Sequence, residues 1–218
     1  MSDPTRTTTG MIVVISAPSG AGKSSLCQRL LNWSPRLMYS VSCTTRTPRV
    51  GEQHGRDYFF LTREEFEQRL AADEFLEHAE YNGNYYGTPR RFVEEQLAAG
   101  RDVLLDIEVQ GARQVMERVR AGRFAYPQAL VTIFLMPPSL ELLEQRLRRR
   151  GTDNPETIRR RLAIAEREMA QWRMYDYVII SGTLDDDFEQ GRAILMAERC
   201  RTFRQPEDAP WRRPELSF

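Results

Sequence analysis

Apolar and polar positions along this chain follow two periods in alternation. Residues 11–16 (MIVVIS) form a short apolar run rich in β-branched side chains and bounded by a loop, the pattern of a buried parallel strand. A polar, glycine-rich stretch, APSGAGKSS, comes next. It leads into SLCQRLLNW, in which Leu26, Leu30 and Leu31 share one helical face. Further apolar runs at 103–107 (VLLDI), 129–135 (ALVTIFL) and 177–180 (YVII) are separated by amphipathic helical patterns. Strand and helix in this alternation predict βαβ units, and with them an α/β fold whose parallel sheet is flanked by helices.

Two stretches break the rhythm. Residues 36–90 carry strand-like pieces (SVSCTT, RDYFFL, FLEHAEY), one short helix (REEFEQRLAA) and an NGN turn, which predicts a small inserted unit with its own mixed sheet. Residues 146–161 (RLRRRGTDNPETIRRR) place Gly151 and a DNP turn between two arginine-rich helix ends, so 146–171 is expected as a mobile helical hairpin. The core is then 11–35, 91–145 and 172–203. Residues 1–10 are expected as a flexible N-terminus. From 204 to 218 the chain holds three prolines and no periodicity, as in an extended tail. There is no internal repeat.

Composition narrows the class. At 218 residues, 41% hydrophobic and 28% charged, the chain suits one globular domain with an inserted subdomain and excludes a disordered protein. Its longest apolar run is about five residues, against the ~20 needed to span a bilayer, so no membrane role is expected. The first ten residues lack the apolar stretch of a secretory signal, which points to the cytoplasm. Cys27, Cys43 and Cys200 are widely spaced with no CxxC, so they are read as reduced and structural. Acidic and basic residues balance at 31 each, which leaves no global field to draw the protein onto nucleic acid or lipid. Lys23 is the single lysine among them. It marks a place where arginine's planar fork cannot replace a compact ammonium.

That lysine lies in the most specific motif. Backbone N–H groups of Gly20, Ala21, Gly22 and Lys23 can wrap a phosphate at a helix N-terminus. Lys23 can reach the β and γ oxygens, and the Ser24 hydroxyl can ligate Mg²⁺. Ala17 stands where the motif G-x-x-x-x-G-K-[ST] expects glycine, which its methyl group permits only at negative φ. Ala17, Pro18, Ser19 and Ser25 complete the expected ATP-binding loop. His54 and His78 have no ligand spacing and receive no catalytic role.

With SAPSGAGKSS, the chain also carries SVSCTTRTPRVGEQHGRDYFF, FLEHAEYNGNYYGTPR, LLDIEVQGA and RLRRRGTD in that order, and over residues 11–201 it resembles the guanylate kinases. The resemblance implies a P-loop NTPase-type core sheet, a GMP-binding insertion at 36–90 and a lid at 146–171. It implies transfer of the γ-phosphoryl group of MgATP to GMP and dGMP, giving ADP and the diphosphate, in purine metabolism and GMP recycling.

The resemblance also assigns residues. Arg46, Arg49, Tyr58 and Tyr86 would hold the GMP phosphate, a task to which guanidinium forks are suited. Glu77, Ser42 and Thr88 would face the guanine edge beside Gly87, with Asp106 near the exocyclic amine. Adenine would leave Glu77 unpaired, which costs enough for ~10³ to 10⁵ in discrimination. Asp106 is split between base contact and the outer coordination sphere of magnesium. Arg146, Arg150 and Arg161 would contact the ATP phosphates and the transferring group from the lid, so that Lys23, Arg46, Arg150 and Arg161 carry catalysis. Arg148, Arg149, Arg159 and Arg160 are expected as solvated surface. Ser181 and Gly182 replace an Asn-Asp pair that many family members carry near the adenine.

Two rivals are weaker. A kinase for a sugar phosphate would not need the base readers Glu77, Ser42 and Thr88, and a non-catalytic scaffold that binds phosphopeptides would not need Lys23 and Ser24. ATP and GMP are therefore the expected partners, with monomer and homo-oligomer both open.

Overall fold

The strand β1 (Ile12–Ser16) is buried along its whole length, because both of its faces are covered by helices. The computed structural model describes residues 10–205 apart from 82, 150, 152 and 153. Around β1 lies a parallel five-stranded sheet made with β2 (Leu37–Tyr39), β7 (Asp102–Asp106), β8 (Leu130–Met136) and β9 (Tyr177–Ile180), in the order β2-β7-β1-β8-β9. Alternate residues of β1 point to opposite cores. Ile12 and Val14 pack with α3 (Arg90–Ala98) and α4 (Val109–Arg120), whereas Val13 and Ile15 pack with α1 (Lys23–Trp33) and α7 (Leu184–Arg199). The chain reverses its direction of growth at β1. The crevice outside the carboxyl ends of β1 and β7 is thus where an open α/β sheet binds ligands.

The second sheet is mixed, with four strands in the order β4-β3-β6-β5: β3 (Cys43–Thr44), β4 (Phe59–Phe60), β5 (Phe75–Tyr81) and β6 (Asn84–Pro89). The helix α2 (Arg63–Ala71) closes it from one side. A capping box between Thr62 and Glu65 starts α2, and its fully buried Phe66 stacks between Phe75 at 4.3 Å and Tyr85 at 5.1 Å. Gly87 of β6 is required by that stack, since a Cβ there would lie 2.9 Å from the Phe75 ring.

The arginine-rich segment enters two packed helices, α5 (Leu140–Arg149) and α6 (Pro155–Met169), joined through Leu143, Leu147, Ile158 and Ala165. Asn154 caps α6 by accepting from the Thr157 N–H, and Pro155 occupies its first position.

Four expectations change. Leu37–Tyr39, read as part of the insertion, pairs with β7 and forms the edge of the core sheet. Residues 84–89 form a strand that the sequence pattern hid behind glycine and proline. The first helix of the hairpin begins at Leu140, ahead of the arginines that drew attention to it. Of the tail expected over 204–218, Arg204 instead closes a 3₁₀ turn (Thr202–Arg204), where it is buried with Nη2 3.3 Å from Glu198 Oε2. Arg150, residues 1–9 and 206–218 lie outside the described residues.

Candidate active site

The phosphate-type loop connects β1 to α1 with Gly20 at φ 99° and Gly22 at φ 105°, two conformations that a side chain would strain. Ala17 is not among the positive-φ residues, so its buried methyl group is tolerated where the motif expects glycine. A Cβ on Gly20 would also come within 3.1 Å of Leu143 and Leu147, so α5 rests directly on the loop.

Lys23 Nζ lies 2.6 Å from Asp106 Oδ1 and donates to the Ile107 carbonyl at 2.9 Å. The register that pairs Ile15 with Asp106 delivers this acid to the loop. A cavity of about 400 Å³ opens above, lined by residues of the loop with Lys23, Ser24, Glu108, Arg161 and Glu168. Burial, reinforced by Glu108 and opposed by Lys23, pushes the Glu168 carboxyl up to about 7.

On the other side of the loop lies a second cavity of about 380 Å³, lined by Gly20, Arg146, Arg149, Ser181, Gly182 and Asp187 among others. Arg146 Nη1 donates to the Ala21 carbonyl at 3.1 Å and reaches Ser181 Oγ at 3.4 Å. The Ser181 hydroxyl donates to Asp187 Oδ2 at 3.0 Å, and the Gly182 N–H donates to Oδ1 of the same carboxylate at 2.8 Å. The two residues that depart from the family pattern are therefore tied inward to α7. Arg149, expected as plain surface, borders this cavity, whereas Arg148 pairs with Glu144 on its own helix.

The insertion supplies a third group. Glu77 is 7% exposed, and its Oε1 accepts from the Thr88 hydroxyl at 2.6 Å across a β5–β6 pair. Burial raises its pKa above the ordinary carboxylate range, and the Thr88 hydrogen bonds partly offset this. Its other oxygen lies over Gly111 of α4, 2.7 Å from where a Cβ would stand, so only glycine there leaves room for the carboxylate.

Arg46 packs against the Tyr58 ring at 5.4 Å, and Tyr58 meets Tyr86 edge-on at 6.1 Å. The Arg46 guanidinium is held by Glu52 through bonds of 2.9 and 3.0 Å from Nη2. Glu52 also accepts from the Arg49 backbone N–H at 2.7 Å, while the Arg49 side chain is exposed. Nη1 donates to the Thr47 carbonyl at 2.8 Å, so two nitrogens of the guanidinium are engaged within the insertion. The backbone carbonyl of Ser42, just before β3, accepts from the Phe59 N–H of β4 at 2.9 Å.

The short connection from β7 to α4 joins the two halves. Asp106 and Ile107 hold Lys23, and Gly111 underlies Glu77. Glu52, Asp187, Glu168 and Gly111 were not found from sequence, because their partners lie elsewhere in the chain or depend on a turn's geometry. Glu52 and Gly111 stand inside the strings GEQHG and LLDIEVQGA, but nothing in those strings gives either of them a role.

The guanylate kinase family profile matches residues 9–198. The chain is 49% identical over 195 residues to a guanylate kinase of Symbiobacterium thermophilum, covering 89% of each chain. It is 47% identical over 197 residues to one of Desulfitobacterium hafniense, covering 90% of this chain and 94% of the other. A crystal structure of guanylate kinase from Anaplasma phagocytophilum superposes with a TM-score of 0.71 at 36% identity, covering 92% of both chains. A match of this length, on a chain whose loop, insertion and helical hairpin stand in the order described, has one consequence: the chain belongs to the guanylate kinases, the nucleoside-monophosphate kinases that transfer a phosphoryl group from ATP to GMP.

Proposed function

We propose that Glu77 reads the guanine edge and that the loop around Lys23 holds the phosphates of ATP. The observation that carries this reading is a buried carboxylate with one oxygen on Thr88 and the other over Gly111. Guanine offers N1–H and an exocyclic amine side by side, two donors that repay the cost of keeping that carboxylate ionised. Thr88 supplies a hydroxyl to it, and Ser42, Gly87 and Asp106 join the same site by resemblance. The phosphate of GMP takes Arg46 from Glu52 and is completed by Arg49, Tyr58 and Tyr86. The proposed set reads base and phosphate and leaves the 2′-hydroxyl unread, so dGMP is accepted as well.

On the donor side, residues 17–25 wrap the phosphates, and Lys23 exchanges Asp106 for the β and γ oxygens. Arg146 and Arg161 approach from α5 and α6, and Arg150 belongs with them by resemblance. The exposed Ser24 hydroxyl and nearby carboxylate oxygens are hard donors that suit magnesium. Among the described residues no cluster of three or more metal-ligating side chains forms a cage, so the ion would rest on Ser24 and on substrate oxygens, with Asp106 in the outer sphere. Bound there, it neutralises charge on the transferring group.

Phosphoryl transfer then needs no covalent intermediate on the protein. The bond from the γ phosphorus to the bridging oxygen breaks as one to a GMP phosphate oxygen forms, and catalysis is positioning plus charge neutralisation. Among the described residues no helix is long and apolar enough to cross a membrane. Because the reaction consumes free MgATP and GMP, we assign it to the cytoplasm and to purine nucleotide recycling.

The Glu77→Gln variant tests the reading by steady-state kinetics. Its KM for GMP should rise ~10-fold or more while its KM for ATP stays within about twofold. Equal rises in both constants would remove Glu77 from base recognition.

A further inference from the structure

The strand that carries Glu77 is the outer edge of its sheet, with β6 on one side and, among the described residues, no strand on the other. An edge strand presents backbone N–H and C=O groups that need partners. At His78, the residue after Glu77, those groups are taken by one side chain from the core. The His78 N–H donates to Gln114 Oε1 at 3.0 Å, and Gln114 Nε2 donates to the His78 carbonyl at 2.7 Å. A primary amide carries a donor and an acceptor on one plane, so Gln114 serves as a single-residue strand added to the edge.

Its place in α4 gives this a consequence. Gly111, Gln114 and Arg118 recur at the spacing of one helical face. Gly111 lies under the Glu77 carboxylate, Gln114 clamps the next residue, and Arg118 pairs with Asp73 at 2.6 Å just before β5 begins. Between Phe75 and Glu77 the β5–β6 register shifts. Such an irregularity re-aims the side chains that follow it and leaves their direction dependent on further support.

From this we infer that Gln114 is a positioning residue for guanine recognition: its amide fixes the backbone beside Glu77, so that the buried carboxylate meets both guanine donors at once. The inference rests on the proposed role of Glu77. Gln114 touches no substrate and acts through the strand. Loss of the clamp should therefore weaken acceptor binding and selectivity and leave the ATP side unchanged.

The test compares wild type with Gln114→Met, Gln114→Glu, Glu77→Gln and Arg118→Gln, using kcat and KM for GMP and for ATP, and kcat/KM for IMP. Methionine keeps the length of the side chain without either bond. Glutamate keeps the acceptor and turns the donor into an oxygen facing the His78 carbonyl. Both Gln114 variants should raise the KM for GMP ~10-fold, as the loss of two hydrogen bonds allows, with the KM for ATP within about twofold. IMP lacks the exocyclic amine, so the preference for GMP over IMP should fall with the clamp. Arg118→Gln removes a tether farther from Glu77 and should lower thermal stability with less than a threefold change in the KM for GMP. If Gln114→Met fails to fold, the Gln114→Glu constants decide.

An unchanged KM for GMP in the folded Gln114 variants, or equal rises for GMP and ATP, would overturn the inference. If Glu77→Gln raises the KM for GMP while the Gln114 variants do not, Glu77 stands as base reader and only the role of Gln114 falls. If Glu77→Gln itself has no effect, the base-reading proposal fails first and the inference with it.

Discussion

Lys23 survives alone among thirty arginines, and its surroundings give the reason. Its ammonium fits between the Asp106 carboxylate and the Ile107 carbonyl, at 2.6 and 2.9 Å, beside the loop proposed to wrap the phosphates. A planar guanidinium is wider and carries its donors in a fixed fork. Lys23→Arg should therefore lower kcat by at least ~10², although charge is conserved. Full activity of that variant in a coupled assay of ADP release would remove the lysine from the mechanism. Glu168 gives a second prediction, with a sign. Its pKa is raised from the ordinary 4.5 to about 7, so the folded protein holds this proton more tightly than the unfolded chain does. The stability tied to that proton is fully present below the ordinary value and is lost as pH rises through about 7. Glu168→Gln escapes the loss. In the ligand-free protein its Tm should match wild type near pH 4.5 and exceed it by about 2 °C at pH 8, a small gain because the group is only half-buried. A difference in Tm that does not vary with pH would contradict this origin.

At the scale of elements, legibility followed burial. β1, β7, β8 and β9 are parallel strands whose apolar runs survive in the sequence, and each was found to within a residue or two. The three residues of β2 are too few to show a period, so their place in the core sheet was hidden. β6 was hidden for a different reason: Gly87 and Pro89 read as breakers, yet Gly87 is there because Phe66 and Phe75 fill the space of its side chain. Gly87→Ala should consequently destabilise the protein by ~1–3 kcal/mol through overpacking, visible as a lower Tm. An unchanged Tm would mean that the aromatic stack shifts freely. In the site, the loop was legible because its chemistry depends on residues adjacent in sequence. Gln114 was not, since its partner His78 is 36 positions away and the contact depends on how α4 meets the edge of β5.

For the whole molecule, the proposed donor and acceptor sites are built on different sheets and meet at one connection. The segment that leaves β7 holds Lys23 at its start and underlies Glu77 at Gly111. On the proposed reading the core holds ATP, whereas the inserted sheet selects the base. Zero net charge fits such a division, because each anion is recognised by local donors with no long-range field to attract it. The most direct measurement of this account is kcat/KM of the unaltered protein for GMP and for AMP, at saturating MgATP. Adenine turns the N1 donor into a lone pair facing Glu77, so GMP should be preferred by at least ~10³. Equal values for the two acceptors would contradict the account at its centre, because the buried carboxylate would then be reading no base.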